Sequence, residues 1–293
     1  MTRDVTALLA FCDGPHDVAF VRRVLRSCLE FQKVEWRFSD FPAPFNSLFK
    51  RNVERHAAAD LSLDMAHKFY LPDHVLQRDD RVALLFNAGG NNRVEKVAAL
   101  LVDYLPLLQQ ARTFPDDAEA VVSRSVVLFV LDADWHGAGQ VRAGLAKDFA
   151  QIDGAPFLAE PWQVHADDAS AAIAADIGAY VWRGENELGT LEDILMPIHR
   201  TSDAARVGQA ENCIDSLFEW ETEHVDTAKR IAERSRRQKA LITLLGQRDK
   251  PGGSQNGIIG QTKTMHDADL NADQRVQAFA AFVAEFLDLE VAG

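Results

Sequence analysis

The run Val126-Val127-Leu128-Phe129-Val130-Leu131-Asp132-Ala133-Asp134 constrains this chain more than any other stretch. The apolar part is unbroken, rich in β-branched and aromatic residues, long enough for a strand covered on both faces and too short for an ordinary helix. It predicts a central strand of a parallel sheet. Asp132 and Asp134 then stand where that strand ends, and the ligand crevice of an open α/β sheet lies at the carboxyl ends of its strands. Aspartates so placed also start turns and cap helices, but one would suffice for that. Two carboxylates one residue apart point to oxygen coordination of a hard cation such as Mg²⁺.

With 293 residues, 47% of them hydrophobic, the chain can bury one main domain with additions. Ala7 to Cys12 is too short for a signal peptide or a membrane span, and no other run approaches one. Cys12, Cys28 and Cys213 are odd in number and widely spaced, which suits reduced, buried thiols of a cytoplasmic protein better than a disulfide or zinc framework. A formal net charge of -13 argues against coating nucleic acid by charge alone. It does not exclude a nucleic-acid substrate, because carboxylates neutralised by a divalent cation no longer repel phosphate.

Along the chain, Thr6 to Cys12 reads as a strand, Asp13-Gly14-Pro15-His16-Asp17 as a tight turn with His16 or Asp17 at the helix N-cap, and Val18 to Leu29 as a helix. Asp13 closes its strand as Asp132 closes the central one. Residues 36–80 break the rhythm at Phe41-Pro42-Ala43-Pro44-Phe45 and read as a polar, helical insertion with a solvated face. Val82 to Asn87 is the next strand, and Gly89 and Gly90 in the turn after it would let the backbone approach a phosphate. A helix from Arg93 follows, burying Val97, Leu101, Tyr104 and Leu108, and Thr113 to Arg124 reads as a polar connector. Ile177 to Trp182 is a fourth strand. Thr190 with Asp193 approximates a capping box, which accounts for Asp193; Glu192 lacks that role, although the helix dipole favours an exposed Glu in the first turn. Beyond residue 200 the sequence predicts a helical extension, 201–293, with long helices at Ala204 to Leu245 and Ala272 to Leu289. It carries the one basic concentration, Lys229, Arg230, Arg234, Arg236, Arg237 and Lys239, of which Arg236 and Arg237 are expected to face phosphates.

The order strand, acidic turn, helix; strand, glycine turn, helix; strand, Asp-x-Asp, helix; strand, acidic helix resembles the Toprim domain. The carriers are Phe11-Cys12-Asp13-Gly14-Pro15-His16-Asp17-Val18, Leu131-Asp132-Ala133-Asp134 and Gly189-Thr190-Leu191-Glu192-Asp193, and the likeness spans about Thr6 to His199. The last motif looks most like nucleases of the overcoming-lysogenization-defect type and their uncharacterised Toprim-like relatives. The resemblance implies a Rossmann-like α/β fold over residues 1–200, with about four parallel strands flanked by helices. It also implies a metal-dependent nuclease, which in antiphage systems accompanies an ATPase. No Gly-x-x-x-x-Gly-Lys-Ser/Thr occurs, so such an ATPase would be a separate chain. One or two Mg²⁺ or Mn²⁺ ions held by Asp13, Asp132 and Asp134, with Asp17 and Glu192 completing a second site, would supply hydroxide and offset charge in phosphodiester cleavage of DNA or RNA. In the related nucleases a lysine beyond the sheet stabilises the transition state, and Lys239 is its counterpart here. The family has Glu where this chain has Asp13, a carboxylate drawn back by about 1.3–1.5 Å.

That departure supports a second expectation, a weakly active or inactive Toprim-like protein that binds a partner or nucleotide. Aspartyl-phosphate phosphatases also place Asp-x-Asp after a strand, but on the first strand, whereas Asp132 follows two strand–helix units. The acidic surface and terminal helices suit a homo-oligomer or a complex.

Overall fold

The computed structural model describes residues 2–57, 71–89, 93–113, 119–149, 163–164, 170–174, 176–184, 186–221 and 223–289. Its strands are β1 (Arg3–Cys12), β2 (Gln32–Lys33), β3 (His74–Arg78), β4 (Arg81–Asn87), β5 (Ala120–Asp132), β6 (Gln163–Val164), β7 (Ser170–Ala174) and β8 (Ile177–Trp182). They form one mixed sheet in the order β2-β3-β4-β1-β5-β8-β7-β6. The four central strands are mutually parallel and are the four legible in the sequence; β5 lies between β1 and β8, as its apolar run requires. The outer strands pair antiparallel, an addition the sequence reading lacked.

The helices are α1 (Pro15–Cys28), α2 (Phe45–Ala57), α3 (Arg93–Thr113), α4 (Ala138–Phe149), α5 (Leu191–Leu217), α6 (Thr227–Gly246), α7 (Gln255–Gln261), α8 (Asp267–Ala272) and α9 (Gln274–Phe286). Because successive side chains of a strand point to opposite faces, β1 and β5 bury two separate sets. Ala7, Leu9 and Phe11 with Val127, Phe129 and Leu131 meet Phe45, Phe49, Leu101 and Tyr104 of α2 and α3. Leu8, Ala10 and Cys12 with Leu128 and Val130 share the opposite core with α1, α5, α6, α7 and α9. On that side Phe279 of α9 packs its ring 4.9 Å from both Tyr180 and Trp182. Each fully buried Phe or Leu contributes about 1.5–3 kcal/mol, so both helical layers hold the sheet, and the C-terminal helices belong to its core. Residue 200 falls inside α5, which is kinked at Asp203 (φ -159°, ψ 82°).

Four expectations are corrected. The segment 36–80 is not merely a polar helical insertion. Phe45, Leu48 and Phe49 of α2 are fully buried at helical spacing, and β3 pairs with β4 across an Asp79-Asp80 turn in which Asp79 takes φ 52°, a conformation Asp tolerates. The last part of the supposed connector, Ala120 to Arg124, is the beginning of β5; residues 114–118 lie outside the described residues. Its Arg124 is carried by ion pairs to Asp176 (2.6 Å) and Asp288 (2.5 Å). Among the described residues the C-terminal extension is the second half of α5 and four further helices instead of two long ones, broken at residues 218–226 and after Gly246. Cys12 is buried as expected, whereas Cys213 is exposed. Among the described residues no helix is long and apolar enough to cross a membrane.

Candidate active site

The carboxyl ends of the parallel strands deliver the acidic residues to one place. Asp13 follows β1, and its N–H bonds the Val130 carbonyl of β5 (2.9 Å). Asp132 is the last residue of β5. Asp134 is two residues on, at φ 47°, and its N–H and C=O exchange 2.7 Å hydrogen bonds with the C=O and N–H of Gly189. That pair ties the β5 loop to the start of α5. α6 forms the opposite wall, and the two sides enclose a cleft of about 580 Å³ lined by Asp13, Asp132, Asp134, Trp135, Thr190, Lys229, Ser235, Arg236 and Lys239.

Each carboxylate has its own setting. Asp13 is half-buried and accepts from Arg93 Nη1 at 2.8 Å. Asp132 Oδ1 accepts the Leu191 N–H at 2.8 Å, an orphan donor at the start of α5. Asp17 lies in the first turn of α1, which starts at Pro15 with Gly14 as N-cap, two or three residues earlier than expected. It is 5% exposed, and its Oδ1 has no hydrogen-bond partner. Glu192, 1% exposed, accepts from Thr190 Oγ1 (2.8 Å), Ser235 Oγ (3.3 Å) and Gln255 Nε2 (3.2 Å), while Lys239 Nζ and His16 Nδ1 stand 3.9 and 3.8 Å from its Oε1. Asp193 does what its spacing predicts: Oδ2 accepts the Thr190 N–H at 3.1 Å.

Crowding of like charge shows in the proton affinities. Burial, then Asp13 and Glu192, pushes the Asp17 carboxyl well above the usual range. Burial, then Asp17, Glu192, Asp13 and Asp134, does the same to Asp132. Asp134 is raised by burial and by Asp13, with His136 and Lys239 opposing. Burial lowers His16 despite the neighbouring Glu192. A cluster that resists carrying its negative charges together is stabilised by a proton or a cation.

Other expected residues fall elsewhere. Gly89 brings its backbone against the protein itself: a Cβ there would lie 1.9 Å from the Asp13 carbonyl oxygen. Gly90 lies outside the described residues. Arg236 lines the cleft, but Arg237 turns to α5, where it holds Asp215 through two hydrogen bonds (2.9 and 2.7 Å) and lines a separate cavity of about 790 Å³ with Arg200, Arg230 and Arg234. Sequence reasoning missed Arg93, Ser235, Gln255 and Trp135. Arg93 had a signal, a cation directly after the glycine turn; Ser235 and Gln255 had none, because only the packing of α6 and α7 against α5 brings them to Glu192. Among the described residues, no group of three His, Cys, Asp or Glu side chains is set in metal-holding geometry.

A hypothetical protein of Pyrococcus horikoshii OT3, known as a crystal structure, shares this fold. It is 12% identical, with a TM-score of 0.51 over 97% of each chain. At that identity the likeness is one of fold alone. No family model and no curated protein matches the chain.

Proposed function

We propose that this chain is a divalent-metal-dependent nuclease built on a Toprim-like module, acting on DNA or RNA in the cytoplasm, with any accompanying ATPase on a separate chain. One observation carries the reading. Asp13, Asp132, Asp134, Arg236 and Lys239, far apart in sequence and expected from it, line a single cleft at the carboxyl ends of the parallel strands.

The donor chemistry suits a hard cation, since it is all carboxylate oxygen and the buried Asp17 Oδ1 has no partner, while among the described residues no three of these side chains converge on one point. Asp13, Asp132 and Asp134 would hold one Mg²⁺ or Mn²⁺, and Asp17 and Glu192 a second. Such ions supply hydroxide at neutral pH and offset charge in phosphodiester displacement. The chain's own contribution is electrostatic and positional. Lys239 and Arg236 place cations on the wall facing the carboxylates, where a phosphodiester would bridge the two. Glu192, tied to Thr190, Ser235 and Gln255, fixes the seam between α5, α6 and α7 and steadies Lys239.

The 2.8 Å Arg93–Asp13 pair favours a second reading, a Toprim-like protein that binds a nucleotide or partner without turnover, because it occupies the carboxylate the resemblance makes essential. Incubation with supercoiled plasmid and with structured RNA, in Mg²⁺, Mn²⁺ and EDTA, separates the two. Cleavage is expected with metal only, and is expected to vanish in Asp132→Ala/Asp134→Ala and in Asp134→Asn, which leaves the Asp132 helix contact intact. Intact substrate in every lane, for wild type and for Asp13→Glu alike, would sink the nuclease reading.

A further inference from the structure

Trp135 directly follows Asp134, lines the carboxylate cleft and is 51% exposed. A large aromatic left half in water beside a cluster of carboxylates forgoes about half of the stabilisation its burial could give. Its backbone is nonetheless firmly held. The preceding residue is fixed by the two Gly189 hydrogen bonds, and the next two N–H groups, of His136 and Gly137, both bond the Ala133 carbonyl (3.1 and 3.0 Å). One side of the indole lies against the His136 imidazole, with ring centroids 3.6 Å apart at 32°. Across the cleft α6 presents Lys229, Arg236 and Lys239. Acidic floor, cationic wall and aromatic lip therefore surround one space.

Those three surfaces select among polynucleotides. A cationic wall binds any phosphodiester backbone, whereas a flat aromatic lip binds only a base whose face is free. In a duplex both faces of each base are covered by its neighbours, so a base reaches the indole only from a single strand or after being turned out of the stack. We infer that the cleft takes an unpaired polynucleotide, one base stacked on Trp135 and the adjoining phosphates along Lys229, Arg236 and Lys239. The choice of polynucleotide as ligand class rests on the nuclease reading above; the assignment of Trp135 as the platform for an unpaired base goes beyond it.

The test is fluorescence anisotropy of a short labelled strand, as DNA and as RNA, in Ca²⁺, with strand integrity checked on a gel. The full-length chain is compared with Trp135→Ala and Trp135→Phe on the single strand, on its duplex and on a strand whose central residues are abasic. Trp135→Ala is expected to weaken single-strand binding about five- to 150-fold, the range for loss of one base–aromatic stack, with Trp135→Phe retaining most of it. On the abasic strand wild type and Trp135→Ala should bind alike, and on the duplex both should bind weakly. The abasic strand, on which both proteins should bind alike, separates the effect from misfolding. Equal single-strand affinity of wild type and Trp135→Ala, or an equal loss on the abasic strand, would overturn the inference. If metal-dependent cleavage persists while binding ignores position 135, only this inference fails. If stacking-dependent binding persists without cleavage in Mg²⁺ or Mn²⁺, only the nuclease reading fails.

Discussion

His199 makes the stability of this fold acid-sensitive in a way that can be isolated. It sits on α5, 1% exposed, with Nδ1 3.2 Å from the Thr264 carbonyl and no hydrogen-bond partner for Nε2. That is the setting of a neutral imidazole donating from Nδ1. Burial holds its pKa down to about 4, helped by the nearby Arg23 guanidinium and opposed by the Thr264 hydrogen bond. In the unfolded chain the same imidazole titrates near 6.5. Between those values the unfolded state binds a proton that the folded state refuses, so stability that is whole above pH 6.5 is lost as pH falls toward 4. At about 1.4 kcal/mol per tenfold in proton affinity, the full loss is about 3 kcal/mol, of which about 2.5 kcal/mol has accrued by about pH 4.5. Asn places an amide nitrogen close to the position of Nδ1 and carries no titrating group. Urea unfolding of wild type and His199→Asn at about pH 7.5 and about pH 4.5 should show wild type losing about 2.5 kcal/mol more than the variant. Carboxylates such as Asp17, whose raised proton affinity acts with the opposite sign, are common to both proteins and cancel. Parallel acid losses in the two proteins would refute the reasoning.

Asp17 should behave inversely. Its carboxyl is pushed up by burial and by Asp13 and Glu192, so its charged form penalises the fold at neutral and alkaline pH. Asp17→Asn should raise the melting temperature at about pH 8, gaining about 1.4 kcal/mol for each tenfold of raised proton affinity, while lowering metal-dependent cleavage; an unchanged or lower melting temperature would count against the charge cluster. Gly89→Ala should lower stability and cleavage together. Its Cβ would overlap the Asp13 carbonyl, so the turn must shift and take Asp13 with it, costing about 1–3 kcal/mol in denaturant titration and most of the cleavage activity. Wild-type stability in that variant would show that the turn is looser than its geometry implies.

What the sequence disclosed follows from how each element is buried. β1, β4, β5 and β8 are covered on both faces, so each leaves an unbroken apolar run. β3 offers only Val75 and Leu76 amid polar neighbours, and its partner is set by the two-residue turn to β4. The first half of β5 contains Ser123-Arg124-Ser125, which no local rule makes a strand. Arg124 is tolerated because Asp176 and Asp288 reach it from distant parts of the chain. In the site, Asp132 and Asp134 were legible because strand-end position and residue type coincide. Arg236 and Arg237 were not separable, because adjacent helical residues point about 100° apart and only the packing of α6 decides which faces the cleft. For Glu192 the sequence offered only the general preference for acid in a first helical turn, since two of its three hydrogen-bond partners, Ser235 and Gln255, lie more than forty residues away.

The link between Asp134 and Gly189 divides the labour at that position. The fold is served by the backbone of Asp134 alone, through its N–H, its carbonyl and a φ of 47°, while its side chain makes no hydrogen bond among the described residues. Asn adopts the same backbone conformation as readily as Asp. Exchanging acid for amide there alters the chemistry of the cleft and leaves its architecture standing. On the nuclease reading proposed above, that one nearly isosteric replacement would turn a catalyst into a binder and leave the fold intact.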